Sequence, residues 1–116
     1  KKIKILLLGI TYKKNVDDDR ESPAFHFMKI LDKKKIAYNY SDPFFSRVRS
    51  GRKIKKTIKS IKLNSVNLKK HDCAIVIADH DVFNYKFIAK HSKIVFDTRG
   101  VYRKLRYKKT NNIINV

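Results

Sequence analysis

Lys13 and Arg99 are the residues of this chain whose type and position best suit them to hold an anion. Each stands just beyond a short apolar run where a buried parallel strand would end: Gly9-Ile10-Thr11-Tyr12-Lys13 follows the run 3–8, and Asp97-Thr98-Arg99-Gly100 follows the run 94–96. In a doubly wound parallel sheet, ligands bind in the crevice outside the carboxyl ends of the strands, because loops and helix N-termini converge there. A lysine supplies a compact point charge, an arginine a planar fork of donors, and free backbone N–H groups add to both. A phosphate ester is the ligand such groups suit. In this lysine-rich chain position alone also suits Lys13 to a solvated surface, and Asp97 beside Arg99 could equally be its ion-pair partner.

Other chemistry has less support. Asp17-Asp18-Asp19 could offer oxygens to a hard cation, but carboxylates just before a helix are already favoured by capping and by the helix dipole. His26, His71, His80 and His91 lack zinc-type spacing, and Cys73 has no cysteine partner, so no metal site is expected. Cys73 lies within the apolar run 73–77, where a thiol packs as a small hydrophobe and its pKa rises when nucleophilic work needs it lowered. With Gly9, Gly51 and Gly100 the only glycines, neither a dinucleotide fingerprint nor a P-loop can be written.

The elements that must position these groups follow from the apolar pattern. The short continuous run 3–8, ended by Gly9, reads as a strand buried on both faces. Ser22-Pro23 opens a helix, with Ser at the N-cap and Pro in the first turn, and Ala24, Phe27, Met28 and Leu31 recur on one face as far as about Lys34. Further strands are expected over 36–40, 73–78 and 94–96, and a short helix over 84–90. Between Asp42 and Asp72 there is no acidic residue; Ile54, Ile58 and Ile61 have helical spacing while 61–63 alternates, which leaves helix and irregular strand both open for 44–70. The expectation is a three-layer, Rossmann-like α/β domain with a mostly parallel sheet, spanning 1–107 and followed by a polar tail over 108–116.

Composition bounds the rest. A chain of 116 residues holds one core, and 42% hydrophobic residues make it globular. The net charge of +19 suggests anionic partners, although an excess of Lys, Ile and Asn is also what AT-rich codons produce. A single Cys and the lack of any long apolar stretch fit a protein of the reducing cytoplasm with neither a membrane anchor nor a signal peptide. The chain opens on Lys1 rather than Met and enters a strand at once, so it is expected to be part of a longer protein.

Taken together, residues 8–24, from Leu8-Gly9-Ile10-Thr11-Tyr12-Lys13 through the acidic loop and Arg20 to Ser22-Pro23-Ala24, resemble the opening of the C-terminal, UDP-binding domain of UDP-sugar 6-dehydrogenases. Tyr40-Ser41-Asp42-Pro43-Phe44, Ala78-Asp79-His80-Asp81-Val82-Phe83-Asn84-Tyr85 and Val95-Phe96-Asp97-Thr98-Arg99-Gly100-Val101-Tyr102 follow in the family's order. Thr11 stands where that family usually has a small residue such as Ala, and Lys14 where Pro or Lys occurs. The resemblance implies oxidation of the C6 alcohol of a UDP-sugar to a carboxylate in two NAD-dependent hydride transfers through an adduct on a catalytic Cys. Of these parts, NAD belongs to an N-terminal Rossmann domain, and the Cys and homodimer contacts to a central region.

For this chain the resemblance implies that Tyr12, Lys13 and Arg99 bind substrate and that Arg20 reaches the cofactor, with no catalytic residue of its own. The 79–80 and 97–102 segments look closest to the branch acting on UDP-N-acetylhexosamines, with UDP-glucose as the alternative substrate. Alone, the chain is expected to be inactive, whether it is a separated domain, one half of a split gene or a remnant. The alternative is a small basic nucleic-acid-binding protein. Nucleic acid is nevertheless not the expected partner, since no ladder of stacking aromatics is visible and binding by charge alone would be non-specific and salt-sensitive.

Overall fold

The computed structural model describes residues 2–11, 22–48, 58–109 and 111–116. Its elements run β1 (Lys4–Leu8), α1 (Pro23–Lys33), β2 (Ala37–Ser41), β3 (Arg47–Val48), β4 (Ile58–Lys59), α2 (Ser65–Lys70), β5 (Cys73–Val76), α3 (Tyr85–His91), β6 (Val95–Asp97), α4 (Val101–Lys104) and β7 (Ile113–Asn115). Five strands pair in parallel in the order β2-β1-β5-β6-β7. The pair β3-β4 is antiparallel, and a bridge between Tyr40 and Ser60 lays the chain after β4 along the outer edge of β2.

The central strand β1 explains the layering. Its side chains alternate across the sheet: Leu6 and Leu8 face one way and Leu7 the other, and all three are fully buried. Leu6 and Leu8 join Leu68 of α2, Ile88 and Ala89 of α3, and Val101 and Tyr102 of α4. Leu7 joins Ala24, Phe25, Met28 and Leu31 of α1, with Tyr40 of β2. At about 1.5–3 kcal/mol for each large apolar side chain buried, a strand covered on both faces contributes twice per pair of residues, which is why it reads as an unbroken apolar run.

The local signals act as their chemistry requires. Ser22 caps α1, its Oγ accepting from Ala24 N at 3.1 Å with Pro23 at the first helical position. Phe25 is the fully buried phenylalanine of the helix, whereas Phe27, expected on the stripe, is half-buried. Asn64 and Asn84 cap α2 and α3 through the N–H groups of Asn67 and Phe87. In the 44–70 segment the described part holds β3, β4 and then α2, so both strand and helix occur there in succession. The stretch read as a polar tail contributes β7, which pairs with β6 through Ile113, Ile114 and Asn115. Its apolar content is too short to announce a strand; a ready-made partner edge on β6 selects it.

His71 ties the amino ends of the sheet together. It is 1% exposed; its Nδ1–H donates to Asn67 O at 2.6 Å and its Nε2 accepts from Asn39 Nδ2 at 2.9 Å. A ring that donates through one nitrogen and accepts through the other is neutral. Burial lowers its pKa below the ordinary 6.5; the Asn67 carbonyl and Asp72 oppose this, and Lys4 and Lys70 add to it. The unfolded chain therefore takes up a proton first on acidification, and the stability contributed by neutral His71, complete above its unfolded pKa, is lost as pH falls through the lowered folded value. Urea midpoints at about pH 7.5 and 5.5 should fall with acid, and His71→Gln should fall less steeply than the parent chain.

Candidate functional site

The sheet order places a switch point between β1 and β5: the connection from β1 leads to β2 on one side while β5 lies on the other. Three loops meet at the carboxyl ends there. Gly9 has φ of +83°, and a Cβ at that position would lie 2.7 Å from both the Cβ and the carbonyl oxygen of Ala78. The turns after β1 and β5 are thus pressed together, an approach open only to glycine. Gly9 N also donates to Ser41 O at 2.9 Å, and Ile77 N to Leu8 O at 2.9 Å.

Asp42 joins the three loops. Its Oδ2 accepts from Ile10 N at 2.7 Å and lies 3.1 Å from His80 Nε2, while its Oδ1 accepts from Phe44 N at 2.7 Å. The side chains of both Asp42 and His80 are fully buried. Thr11 Oγ1 is 3.4 Å from the same His80 nitrogen. A hydroxyl, an imidazole and a carboxylate in contact suggest a nucleophile relay, but a relay needs the acid on one ring nitrogen and the hydroxyl on the other. Here both oxygens face Nε2, so the cluster holds loops in place. Phe44 and Phe83 pack on the imidazole with centroids 4.8 and 5.5 Å away, and Tyr85 Oη donates to His80 O at 2.6 Å. Burial pushes the phenols of Tyr85 and Tyr102 well above their ordinary pKa, which keeps them neutral donors.

Arg99 is carried to the same end of the sheet by β6. Asp97, 1% exposed, accepts from Arg99 N at 3.1 Å through Oδ1 and from Tyr102 N at 3.0 Å through Oδ2, which shapes the turn into α4. Gly100 makes that turn in the left-handed region with φ of +67°. Arg99 Nε donates to Ile77 O at 2.8 Å, so the guanidinium is anchored to the loop after β5 while the residue stays exposed. Asp97 thus spends its oxygens on the backbone of Arg99 and of α4. Of the residues expected to bind ligand, Arg99 is at the crevice; Tyr12, Lys13 and Arg20, with Asp17, Asp18 and Asp19, lie outside the described residues.

Asp42 and His80 were visible as residues just past strand ends, but nothing in a linear reading joins positions 38 apart into one contact. Cys73 is half-buried on β5, and burial raises its thiol pKa, so it has the environment of a packing residue. The first strand-to-helix turn carries a single glycine, and its missing side chain is filled by Ala78, so the described residues do not form the open glycine cradle of a dinucleotide site.

A parallel sheet in the order β2-β1-β5-β6-β7, with a switch point between β1 and β5, defines a Rossmann-like domain. The chain belongs to the UDP-glucose/GDP-mannose dehydrogenase family, residues 6–104 matching that family's UDP binding domain. It is 32% identical over 120 aligned positions to a UDP-N-acetyl-D-mannosamine dehydrogenase of Methanococcus maripaludis, covering 93% of this chain and 25% of the relative. The corresponding enzyme of Methanococcus vannielii is 30% identical over 116 positions, with 93% and 25% covered. In fold it is similar to the UDP-D-ManNAc dehydrogenase of Pyrococcus horikoshii, with a TM-score of 0.69 and 22% identity over 99% of this chain and 25% of that one. The chain therefore spans about a quarter of the length of the curated relatives it matches.

Two substitutions test the joint between the loops. Asp42→Asn leaves one acceptor oxygen where two are used and turns an amide toward a backbone N–H, so unfolding free energy should fall by about 2–3 kcal/mol, read from urea denaturation. Gly9→Ala should cost about 2 kcal/mol or more, combining a positive φ with the clash on Ala78; an unchanged urea midpoint for either variant would contradict the joint.

Proposed function

We propose that this domain binds the UDP end of a nucleotide sugar for an NAD-dependent UDP-sugar 6-dehydrogenase, the substrate being a UDP-N-acetylhexosamine rather than UDP-glucose. The observation that carries the reading is Arg99: within a chain matched to the UDP binding domain of this family, its guanidinium is tethered through Nε to Ile77 O at the crevice rim. A tether on one nitrogen orients the planar fork before any ligand arrives, which lowers the entropy lost when the two terminal nitrogens meet a diphosphate. Lys13 adds a second cation and Tyr12 a surface against the substrate, as the resemblance implies. The names of the two Methanococcus relatives favour the N-acetylhexosamine over glucose.

The other parts of the reaction belong to the remaining three quarters of such an enzyme. NAD would be held mainly there, with Arg20 reaching it across the cleft, and the catalytic Cys and homodimer contacts would lie there too. When bound, NAD accepts the hydrides; this chain's own contribution is to hold the diphosphate and exclude water from it. A cytoplasmic location suits this substrate class, and among the described residues no helix is long and apolar enough to cross a membrane.

Calorimetric titration of UDP into the chain at two salt concentrations tests the assignment. Arg99→Ala and Lys13→Ala should each weaken binding by about 1.5–3 kcal/mol, the range for charge-assisted hydrogen bonds, while Lys55→Ala and Lys59→Ala change it little. Equal losses from all four, disappearing in salt, would replace the site by diffuse attraction to a +19 protein. Incubated with NAD and any UDP-sugar, the chain alone should form no NADH.

A further inference from the structure

The opposite pole of the sheet carries a second basic surface that the substrate reading leaves unused. There the connection from α3 to β6 and the connection from α4 to β7 lie side by side, clasped by Asn112, whose Nδ2 donates to Ala89 O at 2.9 Å and Ser92 O at 3.0 Å. Between them opens a groove of about 860 Å³. Lys86 and Lys90 of α3 line one wall; Arg106, Lys108 and Lys109 line the other. All five are exposed, and among the described residues no carboxylate lines the groove. Lys93, also at the groove, is 4.0 Å from Asp72 Oδ1.

Three further observations suggest that the surface is more than scattered lysine. Ser92, 8% exposed, lines the groove, and its buried Oγ has no hydrogen-bond partner among the described residues. Arg106 sits in the left-handed region with φ of +53°, at the position after a helix where glycine is the unstrained residue. Its backbone closes the turn through Arg106 N to Arg103 O and Tyr107 N to Tyr102 O, both 3.0 Å, so a strained turn carries a cation into the groove. Finally, the groove is not purely ionic. Leu105 is 53% exposed, and Tyr107, half-buried with its ring 5.3 Å from that of Tyr102, offers an aromatic surface.

We propose that this groove binds single-stranded nucleic acid, its lysines and arginine tracking the phosphates while Tyr107 and Leu105 receive a base. Lys86 and Lys90 are one helical turn apart, about 6 Å along the axis, a separation suited to neighbouring phosphates on an extended strand. An apolar floor beside cations favours a ligand with bases over a bare polyphosphate or an acidic peptide. No base edge is read by a fixed pair of donors, so the site discriminates strand from other polyanions rather than one sequence from another. The aromatic partner was invisible in the sequence because Tyr107 meets the α3 lysines only through the fold. The proposal is independent of the substrate reading, since the groove lies at the amino ends of β6 and β7 and Arg99 at the carboxyl end.

Fluorescence anisotropy of a labelled oligouridylate of about 20 nucleotides, titrated with the full chain, tests it. Binding is expected at about 50 mM salt and should weaken on the order of 50-fold by about 200 mM, as for release of counterions from roughly four phosphates. Lys86→Glu combined with Lys90→Glu should cost tenfold or more, on the order expected for lost phosphate contacts, and flatten the salt slope by about 1 or more. Lys29→Glu with Lys33→Glu, an equal charge change on exposed positions of α1 across the sheet, should cost less than about threefold. Equal losses from the two pairs, absence of binding at the lower salt, or displacement by inorganic polyphosphate as readily as by unlabelled RNA would each overturn the proposal. Excess UDP should leave the RNA bound, which separates this outcome from that of the substrate titration.

Discussion

The carboxylate of Asp42 is the constraint on which the crevice depends. Three loops that leave three different strands meet at its two oxygens, through Ile10 N, Phe44 N and His80 Nε2. None of these loops could hold its conformation alone: each would leave buried polar groups without partners, at a cost of about 1–3 kcal/mol apiece. One buried side chain satisfies donors from all of them, and Asp42 N is in turn held by Ser60 Oγ at 2.9 Å, which ties the edge segment after β4 to the same point. Gly9 lets the turns close to backbone contact, and Asp42 holds them there.

Asp97 repeats this device at the next strand. Both aspartates stand at or just after a strand's carboxyl end, both are buried, and both give at least one oxygen to a backbone N–H group of the loop that follows. The consequence for chemistry is indirect. Because Asp97 shapes the turn and Ile77 O accepts from Nε, Arg99 is presented by a rigid frame rather than by its own flexible stem. Ring contacts continue this frame behind the site, from Phe44 through His80, Phe83, Tyr85 and Tyr102 to Tyr107, with centroid separations between 4.8 and 6.0 Å at each step. Aromatic pairs at such distances add packing energy beyond area, about 0.5–1.5 kcal/mol each, and stiffen the helical layer that separates the crevice from the basic groove.

Two helices end in the same strained way. After α1, Lys35 takes φ of +58° and Ile36 N donates to Leu31 O; after α4, Arg106 takes φ of +53° and Tyr107 N donates to Tyr102 O. Both turns satisfy the orphan carbonyls at a helix end, and both put a cationic residue where it also complements the negative end of the dipole. A left-handed residue with a side chain costs about 1 kcal/mol, so with only Gly9, Gly51 and Gly100 in the chain, scarcity of glycine is met by tolerated strain. At Lys35 the turn leads straight into β2; at Arg106 it opens onto the groove.

By itself the sequence determined what periodicity and local chemistry encode: the buried strand at 3–8, the Ser22-Pro23 helix start, the parallel α/β class, and the placing of Arg99 beyond a strand end. Each of these depends on neighbours within a few residues. What it could not determine are the features whose energy comes from distant partners. Asp42 and His80 each looked like one more loop residue, because a carboxylate's worth depends on which donors surround it, and those come from positions 10, 44 and 80. The strand at Ile113–Asn115 exists because β6 offers an unpaired edge, and β3 and β4 pair across an intervening segment that no local period describes. The basic groove is likewise a product of packing, since Lys86 and Lys108 share a surface only once α3 and the α4–β7 connection lie side by side. Apolar burial is additive along the chain and so leaves a pattern to read, whereas a buried hydrogen-bond hub or a charged groove is a property of several segments at once, decided only when the sheet has formed.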